Sequence, residues 1–176
     1  LDSDGSCGLT GTGDLSNTNP LLGALADNGG GTFSHALLAG SPAIDAVRLF
    51  SNGCGNIITK DQRGVVRPQD GNGDEADSER CDMGAVEAII LHGRVTDASG
   101  SIGLVDATVT LDGHQATTTD GNGHYLFHNI SLGTHVLSPA YPDASFSPVS
   151  RTVNVSGAVL GSVNFIASGV SYMVSG

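Results

Sequence analysis

Five side chains in the first half of this 176-residue chain are of the kinds that acid–base chemistry uses: Asp45, Asp61, Arg63, Asp82 and Glu87. Carboxylates beside an arginine can pass protons to a substrate and steady the charge that develops. The same set can serve instead as a structural network, with Arg63 holding carboxylates inside the fold. A second group is the acidic run Asp70-Gly-Asn-Gly-Asp-Glu-Ala-Asp. Asp70, Asn72 and Asp74 fall at the first, third and fifth places of a calcium loop, with Asp77 beyond them. The glycine wanted at the sixth place is Glu75 and the bidentate glutamate wanted at the twelfth is Cys81. A solvated acidic loop is therefore the reading taken; calcium is the one candidate cofactor and none is firm.

The remaining chemistry-bearing residues are sparse. The three cysteines, Cys7, Cys54 and Cys81, have neither zinc-type nor redox-type spacing. In an oxidising compartment Cys54 and Cys81 could close a loop of about 27 residues, worth roughly 3 kcal/mol on the chain-entropy model, leaving Cys7 over. The alternative is three reduced, buried thiols. Five histidines lie in the second half: His92, His114, His124, His128 and His135. His124 and His128 are spaced to share one face, but a metal site also needs a third ligand and supporting groups, so all five are read as surface residues. No serine or cysteine sits in an elbow or triad context, and no catalytic residue is assigned.

Short strands must position these groups. In the first half, runs of three to five apolar residues alternate with Gly, Asn and Asp corners, and no segment carries an 11-residue helical period. From Ala85 to Leu91 the chain is a nearly unbroken strand-forming run without Pro, a Ser run or a Gly pair, so any two domains meeting there share a continuous strand rather than a flexible linker. Beyond it, period-2 strands recur at Ile89–Thr96, Ala107–Leu111, Ala116–Thr119, His124–Phe127, Thr134–Ser138, Ser150–Val155 and Ser162–Ile166, with turns between them including Asp112–Gly113, Asp120–Gly123 and Pro142–Pro148. Tyr125 and Phe127 alternate so that both rings face one core. Seven strands over this length predict an antiparallel β-sandwich.

Composition narrows the function classes. The chain carries 26 glycines, no tryptophan and only 5% aromatic residues, so its core must be thin layers of Val, Ile, Leu and Ala. The net charge of −11, with only 7 basic residues, argues against nucleic acid, whose phosphates require clustered Lys and Arg. No hydrophobic segment has the length of a membrane span. The chain starts Leu-Asp-Ser-Asp, so a secreted protein is expected to have lost a leader upstream of Leu1. Asn129-Ile-Ser and Asn154-Val-Ser are glycosylation acceptor sequences, meaningful only in a source that glycosylates.

Several strings carry a resemblance. NPLLGALADNGGGTFSHALL (Asn19–Leu38), GSPAIDA (Gly40–Ala46), DQRGVVRPQ (Asp61–Gln69) and CDMGAVE (Cys81–Glu87), in this order, resemble the closing segment of secreted right-handed parallel β-helix proteins of the choice-of-anchor Q type. Gly31 stands where that pattern has Pro. The resemblance implies that residues 1–88 are terminal coils of a solenoid, with an end that upstream coils or another molecule must cover. It also places Asp45, Asp61, Arg63, Asp82 and Glu87 in a closing motif, which favours the structural network. β-Helix enzymes of the polysaccharide lyase type use such carboxylates, but too few coils are present for their groove. GRVTDASG, DATVTLDG, TTTDGNGHYLFHNI, LGTH and FSPVSRTVNV, within Ile90–Ala167, resemble the carboxypeptidase regulatory-like domain, a non-catalytic transthyretin-like sandwich. Related collagen-adhesin repeats can carry a Lys–Asn isopeptide bond, which is excluded within this half because no lysine follows Lys60.

The expectation is an all-β protein: terminal coils of a right-handed parallel β-helix at 1–88, a seven-stranded antiparallel β-sandwich at 89–168, and a tail at 169–176. In the tail Val170, Tyr172 and Val174 alternate with polar residues, the pattern of an edge strand or of a strand donated to a neighbouring subunit. The expected function is non-catalytic and structural, secreted or at the cell surface, as a subunit joining head-to-tail into a filament. The alternative is an adhesive or glycan-binding fragment of a larger β-helix protein.

Overall fold

The computed structural model describes residues 1–73, 80–157, 160 and 162–170. The chain is all-β, with twelve named strands and no helix among the described residues. None of its described segments is a helix long and apolar enough to cross a membrane. It divides into two compact units. Unit 1 is Leu1–Ile90 together with His128–Leu132 and residues 156–157. Unit 2 is Leu91–Phe127, Gly133–Val155 and the described residues from Leu160 onward.

Unit 1 is built from short pieces. Strand β1 (Leu22–Ala26) pairs antiparallel with β2 (Ser34–Leu37), and β3 (Val47–Arg48) pairs antiparallel with β4 (Arg80–Cys81). The turn joining β1 to β2 contains Gly29, Gly30 and Gly31, all at positive φ, which reverses the chain within a few residues. Gly30 is also pressed against the backbone of Arg63, where an added Cβ would lie 2.5 Å from the Arg63 Cα. Both ladders of unit 1 are antiparallel, and its parallel pairing among the described residues is the isolated bridge Cys54–Ile58. A small apolar cluster of Leu37, Ala43 and Val86, flanked by Ile44 and Met83, fills the space between the loops.

The apolar run before the second half also differs from expectation. Only its last residue, Leu91, lies in a strand, and residues 86–90 join no ladder. The reason is chemical: side chains, rather than a neighbouring strand, satisfy the backbone there. Glu87 N–H donates to Asp61, Ala88 N–H donates to Asp82, and the Glu87 carbonyl accepts from Arg63.

Unit 2 contains two four-stranded sheets of a sandwich-like fold. Its strands are β5 (Leu91–Thr96), β6 (Thr108–Leu111), β7 (Gln115–Thr118), β8 (His124–Phe127), β9 (Gly133–Ala140), β10 (Ser145–Ser147), β11 (Arg151–Val155) and β12 (Phe165–Ser168). One sheet has the order β10-β12-β5-β8 and the other β11-β9-β6-β7. Two corrections to the seven-stranded antiparallel expectation follow. Among the described residues there are eight strands, because Ser145–Ser147 forms β10 inside the stretch read as a turn. One pairing is parallel, β12 with β5, through Phe165–Val95 and Ile166–Thr96.

Alternation puts one face of each strand inside. Leu91, Val95, Tyr125, Phe127, Phe165 and Ala167 of the first sheet are buried, as are Val109, Leu111, Leu137 and Val155 of the second. Tyr125 and Phe127 both point inward, with ring centroids 6.0 Å apart in an edge arrangement. The Tyr125 hydroxyl donates to the Val163 carbonyl at 2.5 Å, so the ring's one polar atom is satisfied. Gly93 sits between Tyr125 and the Val163 backbone; an added Cβ would meet the Val163 carbonyl oxygen at 1.9 Å. This glycine is required by close approach of backbone. Gly93→Ala is expected to force the two segments apart and cost on the order of 1–3 kcal/mol, measured as a lower urea midpoint of unfolding.

Candidate functional site

The sequence-marked carboxylates of unit 1 meet in one buried network. Asp45, Asp61, Asp82 and Glu87 are each less than one-tenth exposed. Asp61 organises its own loop first: one oxygen accepts the N–H groups of Arg63 and Val65 at 2.7 and 2.9 Å. Its other oxygen accepts Arg63 Nε and Nη2 at 2.9 and 2.8 Å and the Glu87 N–H at 2.9 Å. Arg63 Nη2 also donates to the Glu87 carbonyl, so the Glu87 peptide is gripped at both its donor and its acceptor.

The Glu87 side chain folds back on the same segment. Its Oε1 accepts the Asp82 N–H at 2.9 Å, and Oε2 accepts the Gln69 N–H at 3.2 Å. Asp82 completes the closure by accepting the N–H of Asp45 at 2.8 Å and that of Ala88. Asp45, at a positive φ of 52°, accepts the Gly71 N–H at 3.3 Å, and the Asp45 carbonyl accepts from Arg80 at 3.4 Å.

Two residues of this network are not marked by sequence reasoning. Arg67 is buried; it donates to the carbonyls of Asp82 and Gly84 at 3.0 and 2.7 Å and lies 3.3 Å from Glu87 Oε1. Gln69 supplies the N–H that meets Glu87. The signal for both is a period of two. Val65, Arg67 and Gln69 are buried while Val66 between them is exposed, so the string VVRPQ is an inward-and-outward alternation that hides an arginine.

Electrostatics follow from this inventory. Arg63 salt-bridges to Asp61 at 2.8 Å, and Arg67 lies 3.3 Å from Glu87. Burial pushes Asp82 up from 3.8 to about 6, against the opposing pull of the Ala88 and Asp45 N–H groups and of Arg67. Burial, and then the neighbouring Asp82 charge, push Glu87 up from 4.5 to about 8, with Arg67 and two N–H donors pulling the other way.

The other marked positions behave separately. Cys54 and Cys81 are bonded, with Cα atoms 5.9 Å apart, and Cys7 is a free, exposed thiol. That bond removes Cys81 from the twelfth place of a calcium loop. Asp70 Oδ1 already accepts the Gly73 N–H at 2.6 Å, and Asn72 is half-buried. Asp74 and Asp77 lie outside the described residues, as do Tyr172 and Val174 of the tail; Val170 is half-buried. Among the described residues no group of three or more His, Cys, Asp or Glu side chains could hold a metal ion.

His135 corrects the surface reading of the histidines. It is buried on β9, with Nδ1 2.7 Å from Asp112 Oδ2. Asp112 sits at the β6–β7 turn and also accepts the Val136 N–H at 2.8 Å; its carboxyl is held low first by the His135 bond and then by that N–H. His124 is exposed, 3.8 Å from Asp120, and His128 is half-buried, its pKa lowered by burial.

A cleft of about 680 Å³ opens in unit 1 beside the network, lined by Asp14, Arg48, Ser51 and Asn52 among others, with Arg67 and Asp82 at its wall. Among the described residues no aromatic side chain lines it.

No protein-family model matches the chain, and no curated protein does. Among solved structures it is similar to GBS52, the minor pilin of the Gram-positive pathogen Streptococcus agalactiae, at 13% identity and a TM-score of 0.39. That likeness covers 51% of this chain and 48% of the pilin, so the chain spans about half of that protein's length. It is too slight to bear on what the chain does.

The network predicts an unusual pH dependence. Both raised carboxyls hold protons more tightly in the folded than in the unfolded chain. The stability they contribute is fully present below their ordinary values of 3.8 and 4.5 and is lost as pH rises through about 6 for Asp82 and about 8 for Glu87. Thermal unfolding should therefore show a Tm that falls between pH 5 and pH 9 as stability on the order of a few kcal/mol is lost, and Glu87→Gln should flatten the slope above pH 6. Arg67→Ala removes the guanidinium that pulls the Glu87 carboxyl down, so it should push Glu87 further up and destabilise the fold distinctly more at pH 9 than at pH 5.

Proposed function

We propose that this chain is a non-catalytic structural part of a secreted or cell-surface protein, in which unit 1 is the closing segment of a β-helix and unit 2 a carboxypeptidase regulatory-like sandwich. The observation that carries the reading is how the carboxylates of unit 1 are spent. Each oxygen of Asp61, Asp82 and Glu87 accepts at least one backbone N–H, and those bonds tie residues 45, 63, 65, 69, 82, 87 and 88 into one knot. A general acid or base needs an oxygen free to reach a substrate, and this arrangement spends its oxygens on holding the loop closed. The Cys54–Cys81 bond, joined to one of those loops, supports an oxidising compartment.

The finer reading is a subunit that joins others head-to-tail into a filament. The support is the strand pattern of the tail from Val170 onward and the exposed apolar residues of the β1–β2 hairpin region, Leu22, Leu25 and Phe33. The adhesive or glycan-binding alternative would use the cleft beside Arg48 and Asn52, whose lining offers hydrogen-bonding groups but no ring for a sugar to stack on.

Negative-stain electron microscopy and sedimentation of the purified chain at high concentration test the filament. Filaments that disappear when residues 169–176 are deleted are the expected result. A monomer that stays a monomer at every concentration, with and without the deletion, overturns it.

A further inference from the structure

We propose that Asn52 is a self-modifying position, at which the folded chain converts asparagine to aspartate and isoaspartate. The chain contains four Asn-Gly pairs, at 28–29, 52–53, 72–73 and 122–123. In this reaction the glycine N–H nitrogen attacks the asparagine side-chain carbonyl. The new N–Cγ bond forms, the Cγ–NH2 bond breaks, and ammonia leaves carrying the displaced proton. Water then opens the resulting succinimide at either carbonyl, giving aspartate or isoaspartate. Glycine permits the attack because no side chain crowds its nitrogen. A pair is therefore protected wherever the fold ties up that N–H or the asparagine amide.

Three of the pairs are tied up. Gly29 N–H donates to Asp27 at 3.0 Å, and Asn28 Nδ2 is itself bound to the Ser34 carbonyl at 2.8 Å. Gly73 N–H donates to Asp70 at 2.6 Å. Gly123 N–H donates to the Asp120 carbonyl at 2.9 Å, closing the turn before β8.

Asn52–Gly53 is different. Asn52 and Gly53 have φ of 48° and 87°, and Cys54 N–H donates to the Ser51 carbonyl at 2.9 Å, a type I′ turn with the Asn-Gly dipeptide at its centre. In such a turn the bond passes over the central amide, and the Gly53 N–H donates to nothing among the described residues. The Asn52 side chain is exposed and has no hydrogen-bond partner there either. Both reacting groups are thus free at this one pair. The product places a new carboxylate on the cleft that Arg48 also lines, next to Cys54 of the disulfide. The isoaspartate form also adds a backbone atom to the turn.

The test incubates the full chain at mildly alkaline pH, folded and in denaturant, and follows all four pairs by peptide mapping with isoaspartate-sensitive mass spectrometry. Conversion at Asn52 about tenfold faster than at Asn28, Asn72 and Asn122 in the folded chain, with the rates drawing together in denaturant, is expected. Asn52→Gln should abolish the acidic species that accumulates on ion exchange, and Asn52→Asp should co-elute with it. Equal rates at all four pairs in the folded chain, a faster site elsewhere, or the same preference in denaturant would each overturn the proposal.

Discussion

A buried N–H must find an acceptor, and in unit 1 the acceptors are carboxylates. The segment from Asp82 to Ala88 is buried at both ends, surfaces at Gly84 and Ala85, and joins no ladder that could satisfy its buried N–H groups. Asp61 and Asp82 accept its later N–H groups, Glu87 accepts its first, and Arg63 and Arg67 supply donors to its carbonyls at Asp82, Gly84 and Glu87. Take these charges away and the segment has no reason to stay inside. The small apolar cluster around Leu37, Ala43 and Val86 is tied to that polar frame through the Met83 N–H, which donates to the Ala43 carbonyl at 2.8 Å.

This explains which parts of the molecule are legible in the amino-acid order and which are not. Strands of unit 2 declare themselves because a residue's neighbours along the chain already encode its face: Tyr125, Leu126 and Phe127 run in, half-out and in. The turn at Asp120 is equally local, its carboxylate accepting the N–H groups of Asn122 and His124 at 2.8 Å each. The segment 85–91 is misleading for the opposite reason. Its letters are those of a strand, while the N–H groups of Glu87 and Ala88 are met by the side chains of the distant Asp61 and of Asp82. Strand β10 carries too few residues to show a period and exists because β12 runs beside it. The Asp, Arg and Glu of the network stand out by type, whereas Arg67 reads as a turn residue before a proline until its alternation with Val65 and Gln69 is noticed.

Charge inside a fold is an inefficient way to gain stability. Buried ion pairs replaced by well-packed apolar residues are often neutral or stabilising, while a pair broken on one side is costly. In the network of unit 1 burial pushes Glu87 and Asp82 toward their protonated forms, which relieves part of that cost. What such an arrangement supplies is uniqueness. Each carboxylate oxygen has a particular N–H to meet, so a loop displaced by one residue would strand several charges at once, whereas an apolar loop displaced by one residue would lose a little contact area.

The same property bears on chemistry. Asp82 and Arg67 line a cleft wide enough for a small molecule, which is where a reader of residue types would place an active site. Proximity is not enough. Both Asp82 oxygens are engaged by the backbone of residues 45 and 88, and the Arg67 Nη groups are engaged by carbonyls, so a ligand in the cleft would meet groups whose hydrogen-bonding capacity is already directed inward. Freeing either group for a substrate would open the loop it holds, and the cost of unpairing a buried charge sets that opening against catalysis. Perturbed carboxyls beside a cleft are a common mark of an active site; here the perturbation has a sufficient cause in the burial of carboxylates that the fold uses to satisfy its own backbone.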